Sequence, residues 1–275
     1  MDNYAVVGFP VRHSKSPMIH RMFAEQTKQV LTYDRIEVAP EEFIAKVEAF
    51  FAGGGKGLNI TVPHKERAWE MVDWRSPNAE KAGAVNTLYR LPDGRLAGAN
   101  TDGVGLVRDI EQNHGCSLEN MTVLILGAGG AVRGLLPRLI AARPGRIIIA
   151  NRTVSKAVTL KTLFADQFTI DVSAYDSLEE LAPDWIINGS SAGLQGGMPD
   201  LPATLITNHT CCYDMVYAPG GTVFQHWAKK SGARLALDGT GMLVEQAAES
   251  FYIWRGVRPE TGPVLQALHK LLSDQ

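Results

Sequence analysis

Short apolar runs alternate with longer amphipathic stretches along almost the whole chain. That alternation predicts an α/β protein. Residues 4–9 (YAVVGF) read as a buried strand. A helix is expected over 17–27, with Pro17 in its first turn and Ser16 as its N-cap. Residues 32–38 predict a second strand. A helix over 40–51 follows, closed by Gly53-Gly54-Gly55, where glycine takes the left-handed cap conformation. Residues 57–62 predict a third strand, which Pro63 ends, and strands at 85–91 and 95–99 flank the hairpin signal Pro92-Asp93-Gly94. The pattern restarts with a strand at 122–126, which runs into Gly127-Ala128-Gly129-Gly130-Ala131 and a helix over 131–142. A strand at 146–150, a helix at 154–165 and strands at 169–172, 185–188, 211–214 and 234–236 continue a parallel sheet with helices on both faces. Helices over 239–254 and 262–272 close the chain, and no internal repeat appears.

At about 150 residues per domain, 275 residues suggest two domains. The chain is 45% apolar and 20% charged, an ordinary globular balance that excludes a collagen-like or wholly disordered chain. Twenty-seven Lys and Arg against 29 Asp and Glu give a net charge of −2. With no basic block, neither nucleic acid nor a membrane surface is an expected partner. No basic segment followed by an apolar run opens the chain, so no signal peptide is expected, and no apolar run is long enough to span a membrane. The expectation is a cytoplasmic protein. Cys116, Cys211 and Cys212 are odd in number and lack a CxxC spacing, so neither a disulfide framework nor a zinc ribbon is expected. The seven histidines show no HxxxH or HExxH spacing, so no metal is expected.

Gly127-x-Gly129-Gly130 follows a predicted strand and opens a predicted helix. Backbone N–H groups and the helix dipole at such a point favour a pyrophosphate. The third glycine of the usual dinucleotide fingerprint falls at Val132, so the match is partial. A ligand-free βα turn is the plain alternative. The end of the next strand selects the cofactor. An NAD site has an acidic residue there for the ribose hydroxyl. This chain has Asn151-Arg152-Thr153 with Lys156 nearby, which suits the 2′-phosphate of NADP.

Polar residues also gather at strand ends in the N-terminal half. Ser14 and Ser16 lie two apart, so an extended segment would turn both hydroxyls the same way, towards a carboxylate. Asn59 and Thr61 share one face of the third strand, and Lys65 follows it, where active sites of open α/β sheets form. Asn86 follows Gly83-Ala84-Val85, and Asn100-Thr101-Asp102-Gly103 leads into a helix. Taken singly, Ser16 and Asp102 read as helix caps and Lys65 as a solvated lysine. Taken together they suit hydride transfer to a ketone. A lysine would exchange a proton with the developing alkoxide, an aspartate would orient that lysine, and neutral amides and hydroxyls would meet a polyhydroxylated ring.

These residues carry a resemblance to the shikimate dehydrogenases over essentially the whole chain. Its carriers are Ser14-Lys15-Ser16-Pro17, Asn59-x-Thr61-Val62-Pro63-x-Lys65, Gly83-Ala84-Val85-Asn86-Thr87, Asn100-Thr101-Asp102-Gly103, the 127–131 loop, Asn151-Arg152-Thr153, and Asp238-Gly239-x-Gly241-Met242-Leu243-Val244-x-Gln246-Ala247. The resemblance implies NADPH-dependent reduction of 3-dehydroshikimate to shikimate, on the route to aromatic amino acids. It implies Lys65 and Asp102 as the catalytic pair and Ser14 and Ser16 on the substrate carboxylate. Asn59, Thr61, Asn86, Asp102 and Gln246 would meet the substrate's hydroxyls and carbonyl, with Tyr217 near the carboxylate. For NADP it implies Gly127, Ala128, Gly129, Gly130 and Ala131 on the pyrophosphate, and Asn151, Arg152, Thr153 and Lys156 on the adenosine phosphate. Ser190, Met215 and Gly239 would lie on the nicotinamide side, with Met242 as a pocket wall. Ser190 stands where threonine is common in the family.

The implied fold is two α/β domains with a cleft between them: a discontinuous substrate-binding domain (1–102 plus 238–275) and a Rossmann-like NADP domain (103–237). The chain would act as a monomer or homodimer. Two other readings use the same residues. One is a quinate/shikimate dehydrogenase using NAD or both cofactors, against which Asn151-Arg152-Thr153 speaks. The other is a non-catalytic dinucleotide sensor, against which the presence of both Lys65 and Asp102 speaks.

Overall fold

The computed structural model describes residues 1–190, 192–193 and 197–274. The chain divides into two compact units: Met1–Gly105 with Leu243–Gln266, and Leu106–Met242 with Ala267–Gln275.

The first unit is built on a six-stranded mixed sheet in the order β2-β1-β3-β5-β6-β4. Its strands are β1 Asp2–Gly8, β2 Leu31–Glu37, β3 Gly57–Ile60, β4 Trp74–Arg75, β5 Thr87–Arg90 and β6 Leu96–Ala99. β1 pairs in parallel with β2 and β3, whereas β5 runs antiparallel to both β3 and β6. Side chains alternate between the faces of a strand, so β1 serves two cores. Ala5 and Val7 pack with Val38, Phe43, Val47 and Leu58. Tyr4 and Val6 face the other way, with Val11, Tyr33 and Trp254. α1 Ser16–Gln26, α2 Phe43–Ala52, α3 Lys65–Met71 and α4 Pro77–Ala82 belong to this unit.

The second unit has a six-stranded, all-parallel sheet in the order β12-β11-β10-β7-β8-β9. Its strands are β7 Thr122–Leu126, β8 Arg146–Ala150, β9 Ile170–Ser173, β10 Trp185–Asn188, β11 Cys211–Asp214 and β12 Leu235–Leu237. Val123, Ile125, Ile147, Ile149 and Ile187 face one core, and Leu124, Leu126, Ile148 and Ile186 face the other. Burial on both faces explains why these strands read as unbroken apolar runs. Numbered from β7, the strand order is 3-2-1-4-5-6, that of a dinucleotide-binding sheet. Its order reverses between β7 and β10. The helices are α6 Gly130–Ala141, α7 Val154–Leu163 and α8 Val223–Lys230. Three helices contain the points where the chain is divided: α5 Asp102–Arg108, α9 Thr240–Arg255 and α10 Gly262–Ser273. Residues 238–242 lie with the second unit, where a side chain at Gly241 would collide with the Asp109 carboxylate.

The structure corrects several local expectations. Ser16 is the first residue of α1 rather than its N-cap; Lys15 occupies that position in the α region, with no side-chain cap. Within the Gly53-Gly54-Gly55 run expected to close α2, the left-handed residue is Gly54 (φ +88°). β3 ends at Ile60, so Thr61 sits in the turn beyond it, its N–H bonded to the Val7 carbonyl. The 40–51 helix opens with a 3₁₀ turn, Pro40–Glu42. Lys65, which taken singly reads as a first-turn lysine, opens α3, whereas the apolar pattern does not predict β4, α4 or α8. α4 is capped by Ser76, whose hydroxyl accepts from the Ala79 N–H, and ends at Gly83 in the left-handed region (φ +56°).

Candidate active site

The predicted substrate-side residues of the first unit are largely joined by one hydrogen-bond network. Lys65 opens α3 directly after the β3 turn, and Asp102 opens α5 directly after β6. Lys65 Nζ and Asp102 Oδ2 are 2.6 Å apart, with the two side chains 22% and 9% exposed. The other carboxylate oxygen, Oδ1, accepts from Asn86 Nδ2 at 2.9 Å, and the Asp102 N–H donates to Asn100 Oδ1 at 3.1 Å. Asn86 is itself fixed. Its Oδ1 accepts from the Thr101 N–H and the Thr87 hydroxyl, both at 2.9 Å. The carboxylate therefore cannot swing, and it holds one of the three donor positions of the lysine ammonium. Among the described residues no other group holds the remaining N–H groups, which can meet a substrate oxygen. Gln246 Oε1 lies 3.4 Å from both Asn86 Nδ2 and Thr101 Oγ1. Its amide nitrogen donates to the Leu243 carbonyl at 2.8 Å, which sets the side chain's direction.

Asn59 is buried and engaged on both sides of its amide. Tyr33 donates to its Oδ1 at 2.7 Å, and its Nδ2 reaches Ser250 Oγ at 2.9 Å and the Asn86 carbonyl at 3.2 Å. Its first structural effect is thus to brace Asn86. Ser14 and Ser16 do converge, their hydroxyls 3.2 Å apart, although the backbone between them is not extended. Two guanidinium nitrogens of Arg35 pin the Ser14 carbonyl at 2.9 and 2.6 Å. Thr61 is half-buried in its turn, with no side-chain bond to this network.

Tyr33, Thr87 and Ser250 complete the network; Thr87 stands in the 83–87 motif but had no expected role, and Tyr33 and Ser250 stand in no motif. Ser250 Oγ lies 2.8 Å from Thr87 Oγ1 and donates to the Gln246 carbonyl at 3.1 Å. Its position four residues after Gln246, on one face of α9, was a readable signal. Thr87 meets Asn59 only because β5 pairs antiparallel with β3 in that register, and Tyr33 gave no local sign.

In the second unit, the loop after β7 and the loop after β10 approach at the point where strand order reverses. Gly127 has φ +105°, and a Cβ there would stand 2.9 Å from the Gly189 carbonyl. A Cβ at Gly129 would meet nothing within 4 Å. Gly129 also caps α6 with no side chain, which leaves the first-turn N–H groups of Gly130 and Ala131 to an outside acceptor. Arg133 Nε, one turn further on, is buried without a partner. At the end of β8, Asn151 Nδ2 donates to the Thr153 carbonyl at 2.8 Å. Arg152, Thr153 and Lys156 are exposed there, and among the described residues neither Arg152 nor Lys156 forms an ion pair. Uncapped donors after β7 and free cations after β8 fit a dinucleotide carrying an extra phosphate.

Ser190 follows β10. Its hydroxyl donates to Asn188 Oδ1 at 2.8 Å, and Asn188 Nδ2 donates to Asp214 at 3.2 Å. Burial raises the Asp214 carboxyl above the usual range, against the Thr222 hydroxyl bonded to it at 2.6 Å. Met215 N–H is held by the Asn188 carbonyl, and a side chain at Gly239 would run into the Met215 carbonyl. The Met242 N–H donates to the Tyr213 hydroxyl at 3.1 Å, and the Met242 side chain packs in the core that includes Val132. Tyr217 is half-buried, and burial raises its phenol, which therefore stays a proton donor. No group of three or more metal-ligating side chains occurs among the described residues, and no described helix is long and apolar enough to cross a membrane.

Three family signatures match successive parts of the chain. The shikimate dehydrogenase substrate binding domain matches residues 6–88, shikimate/quinate 5-dehydrogenase matches 109–192, and the shikimate 5′-dehydrogenase C-terminal domain matches 239–269. The NADP-dependent shikimate dehydrogenase of Alkalilimnicola ehrlichii is 59% identical, across 97% of this chain and 98% of its own. The crystal structure of an Ael1 enzyme from Pseudomonas putida superposes with a TM-score of 0.92 at 46% identity, covering 98% of each chain. Shikimate 5-dehydrogenase from Thermus thermophilus, solved with NADP(H) and shikimate, superposes with a TM-score of 0.87 at 31% identity, covering 98% of this chain and 99% of its own. The strand order, the glycine loop, the Lys65–Asp102 pair and these whole-chain similarities converge, and the chain belongs to the NADP-dependent shikimate dehydrogenase family.

Proposed function

We propose that Lys65 and Asp102 are the proton-handling pair of an NADP-dependent oxidoreductase that interconverts 3-dehydroshikimate and shikimate. The reaction follows from the family; the roles of individual residues are inferred from their geometry. The observation that carries them is the 2.6 Å Lys65–Asp102 contact, with Asn86 fixing the opposite carboxylate oxygen.

When bound, the nicotinamide supplies the hydride for reduction and accepts it in the reverse direction. As the substrate's carbonyl oxygen gains charge, Lys65 Nζ gives it a proton; in the oxidative direction Lys65 takes the hydroxyl proton. Asp102 holds Nζ in position. Asn86 and Gln246 present amides to the neighbouring hydroxyls, Thr61 adds a hydroxyl from the β3 turn, and Asn59 braces Asn86 while keeping a lone pair on Oδ1. The Ser14–Ser16 hydroxyl pair receives the carboxylate. In the second unit, Gly127, Ala128, Gly129, Gly130 and Ala131 would hold the pyrophosphate. Asn151, Arg152, Thr153 and Lys156 would hold the adenosine phosphate, while Ser190, Met215, Gly239 and Met242 would line the nicotinamide side. We assign the substrate domain to the first unit and the cofactor domain to the second; the units part after Gly105, Met242 and Gln266, so 267–275 fall with the second unit, whereas the sequence divides at 102 and 238 and leaves 238–275 whole. Three free cysteines suit a reducing cytoplasm. All proposed roles come from one chain, acting as a monomer or homodimer.

The test is a four-way assay by nicotinamide absorbance, offering shikimate or quinate with NADP or NAD. Shikimate with NADP should give by far the highest kcat/KM. A preference for quinate with NAD would overturn this assignment, and NADPH binding without turnover would restore the sensor reading.

A further inference from the structure

We propose that Cys116 and Cys211 are a peroxide-oxidisable dithiol that closes to an intrachain disulfide beneath the guanidinium of Arg234. Neither cysteine has a part in the reaction above. Arg234 is exposed and directly precedes β12. Its Nη2 lies 3.0 Å from Cys211 Sγ and 3.8 Å from Cys116 Sγ, and its Nε lies 3.3 Å from Cys211 Sγ. Two sulfurs that share one nitrogen as neighbour can be no further apart than those contacts laid end to end, about 6.8 Å. A positive charge beside a sulfur favours the nucleophilic thiolate.

The two cysteines differ in a way that assigns their roles. Cys116 is only partly buried. It lies in an irregular stretch beside Gly115, whose φ is +60°. Cys211 is buried at the start of β11, locked between Trp185 on β10 and Leu235 on β12. Burial pushes its thiol above the usual range. Cys116, the less buried of the two, is the first to meet the oxidant. Cys212 points to the opposite face of the sheet, packs in the other core, and is pushed up to about 12 by burial. It takes no part.

The chemistry needs only hydrogen peroxide. The Cys116 thiolate attacks one peroxide oxygen, the O–O bond breaks, and hydroxide leaves and takes a proton, giving Cys116 sulfenic acid and water. The Cys211 sulfur, losing its proton, attacks the Cys116 sulfur. The S–O bond breaks, a second water leaves, and an S–S bond forms. Two thiols have lost two electrons and one peroxide has been reduced to two waters. The sulfurs must close to about 2.0 Å, a movement that the Cys116 stretch can supply and β11 cannot.

The test treats the purified full-length protein with hydrogen peroxide, counts free thiols, and maps peptides without reduction. Two of the three thiols should be lost, with the peptides containing residues 116 and 211 joined, and dithiothreitol should restore both. C116S and C211S should each abolish the cross-link, and R234M should slow it by an amount on the order of tenfold. Retention of all three thiols, Cys116 ending as sulfinic or sulfonic acid with Cys211 reduced, or a link to Cys212 would overturn the proposal. An unchanged rate in R234M would remove Arg234 from it.

Discussion

His20 should make the stability of the protein depend on pH, and replacing it by phenylalanine should remove that dependence. The imidazole is 1% exposed and stacks on Tyr33 with centroids 4.1 Å apart, and among the described residues no hydrogen bond of normal geometry reaches either ring nitrogen. Burial lowers its pKa from 6.5 to about 3. The unfolded chain therefore binds a proton near pH 6.5 that the folded chain refuses. For a group lowered on folding, the stability is fully present above the unfolded value and drains away as pH falls towards the folded one. From about pH 7.5 to about pH 5 the uptake differs by roughly 1.5 decades of population, which at ~1.4 kcal/mol per decade is about 2 kcal/mol. His20→Phe keeps the aromatic stack and cannot titrate. Urea unfolding of both proteins at those two pH values measures the effect. The wild type should lose about 2 kcal/mol more than the variant on acidification. Parallel losses would show that His20 takes up no proton on unfolding and would refute the reasoning.

Two further substitutions test other parts of the account. Arg152→Ala should weaken NADPH binding far more than NADH binding, measured by fluorescence titration, because only NADPH carries the 2′-phosphate; equal losses would contradict the assignment. Tyr213→Phe removes a buried hydroxyl that donates to Asp109 Oδ2 at 2.7 Å and accepts from the Met242 N–H. It should destabilise the protein by about 1.5–3 kcal/mol in denaturant unfolding, the scale of a lost hydrogen bond to a charged group; a change within a few tenths would mean that Asp109 finds another donor.

The parallel sheet was legible because its physics is local. Residues 147–150, 185–187 and 211–213 are apolar and buried on both faces, and the strands that formed, 146–150, 185–188 and 211–214, have the expected bounds. α8 was missed although its signal was present. Thr222 stands three residues before Gln225, the spacing of a capping box, and its hydroxyl accepts from the Gln225 N–H at 3.1 Å. Ser76-Pro77 and Gly83 likewise bracketed α4. Ser16 was misread as a cap because a serine before Pro17 fits that pattern. Only the helical backbone of Lys15 showed that α1 begins at Ser16, where the hydroxyl turns to Ser14 instead. In the site, motifs exposed Lys65, Asn86 and Asp102, but not the Tyr33–Asn59–Ser250–Thr87 bracing. Those four residues lie far apart in the chain and meet through sheet register and the packing of α9; the spacing of Ser250 from Gln246 is the one local sign of it.

The central claim is that Lys65 exchanges the proton while contributing little to cofactor affinity. Lys65→Ala tests it most directly, with kcat for shikimate oxidation and the NADPH Kd measured on the same preparation. The account predicts a kcat lower by about 10² or more, the scale of a lost general acid or base, with the Kd nearly unchanged. A kcat equal to that of the wild type would contradict it.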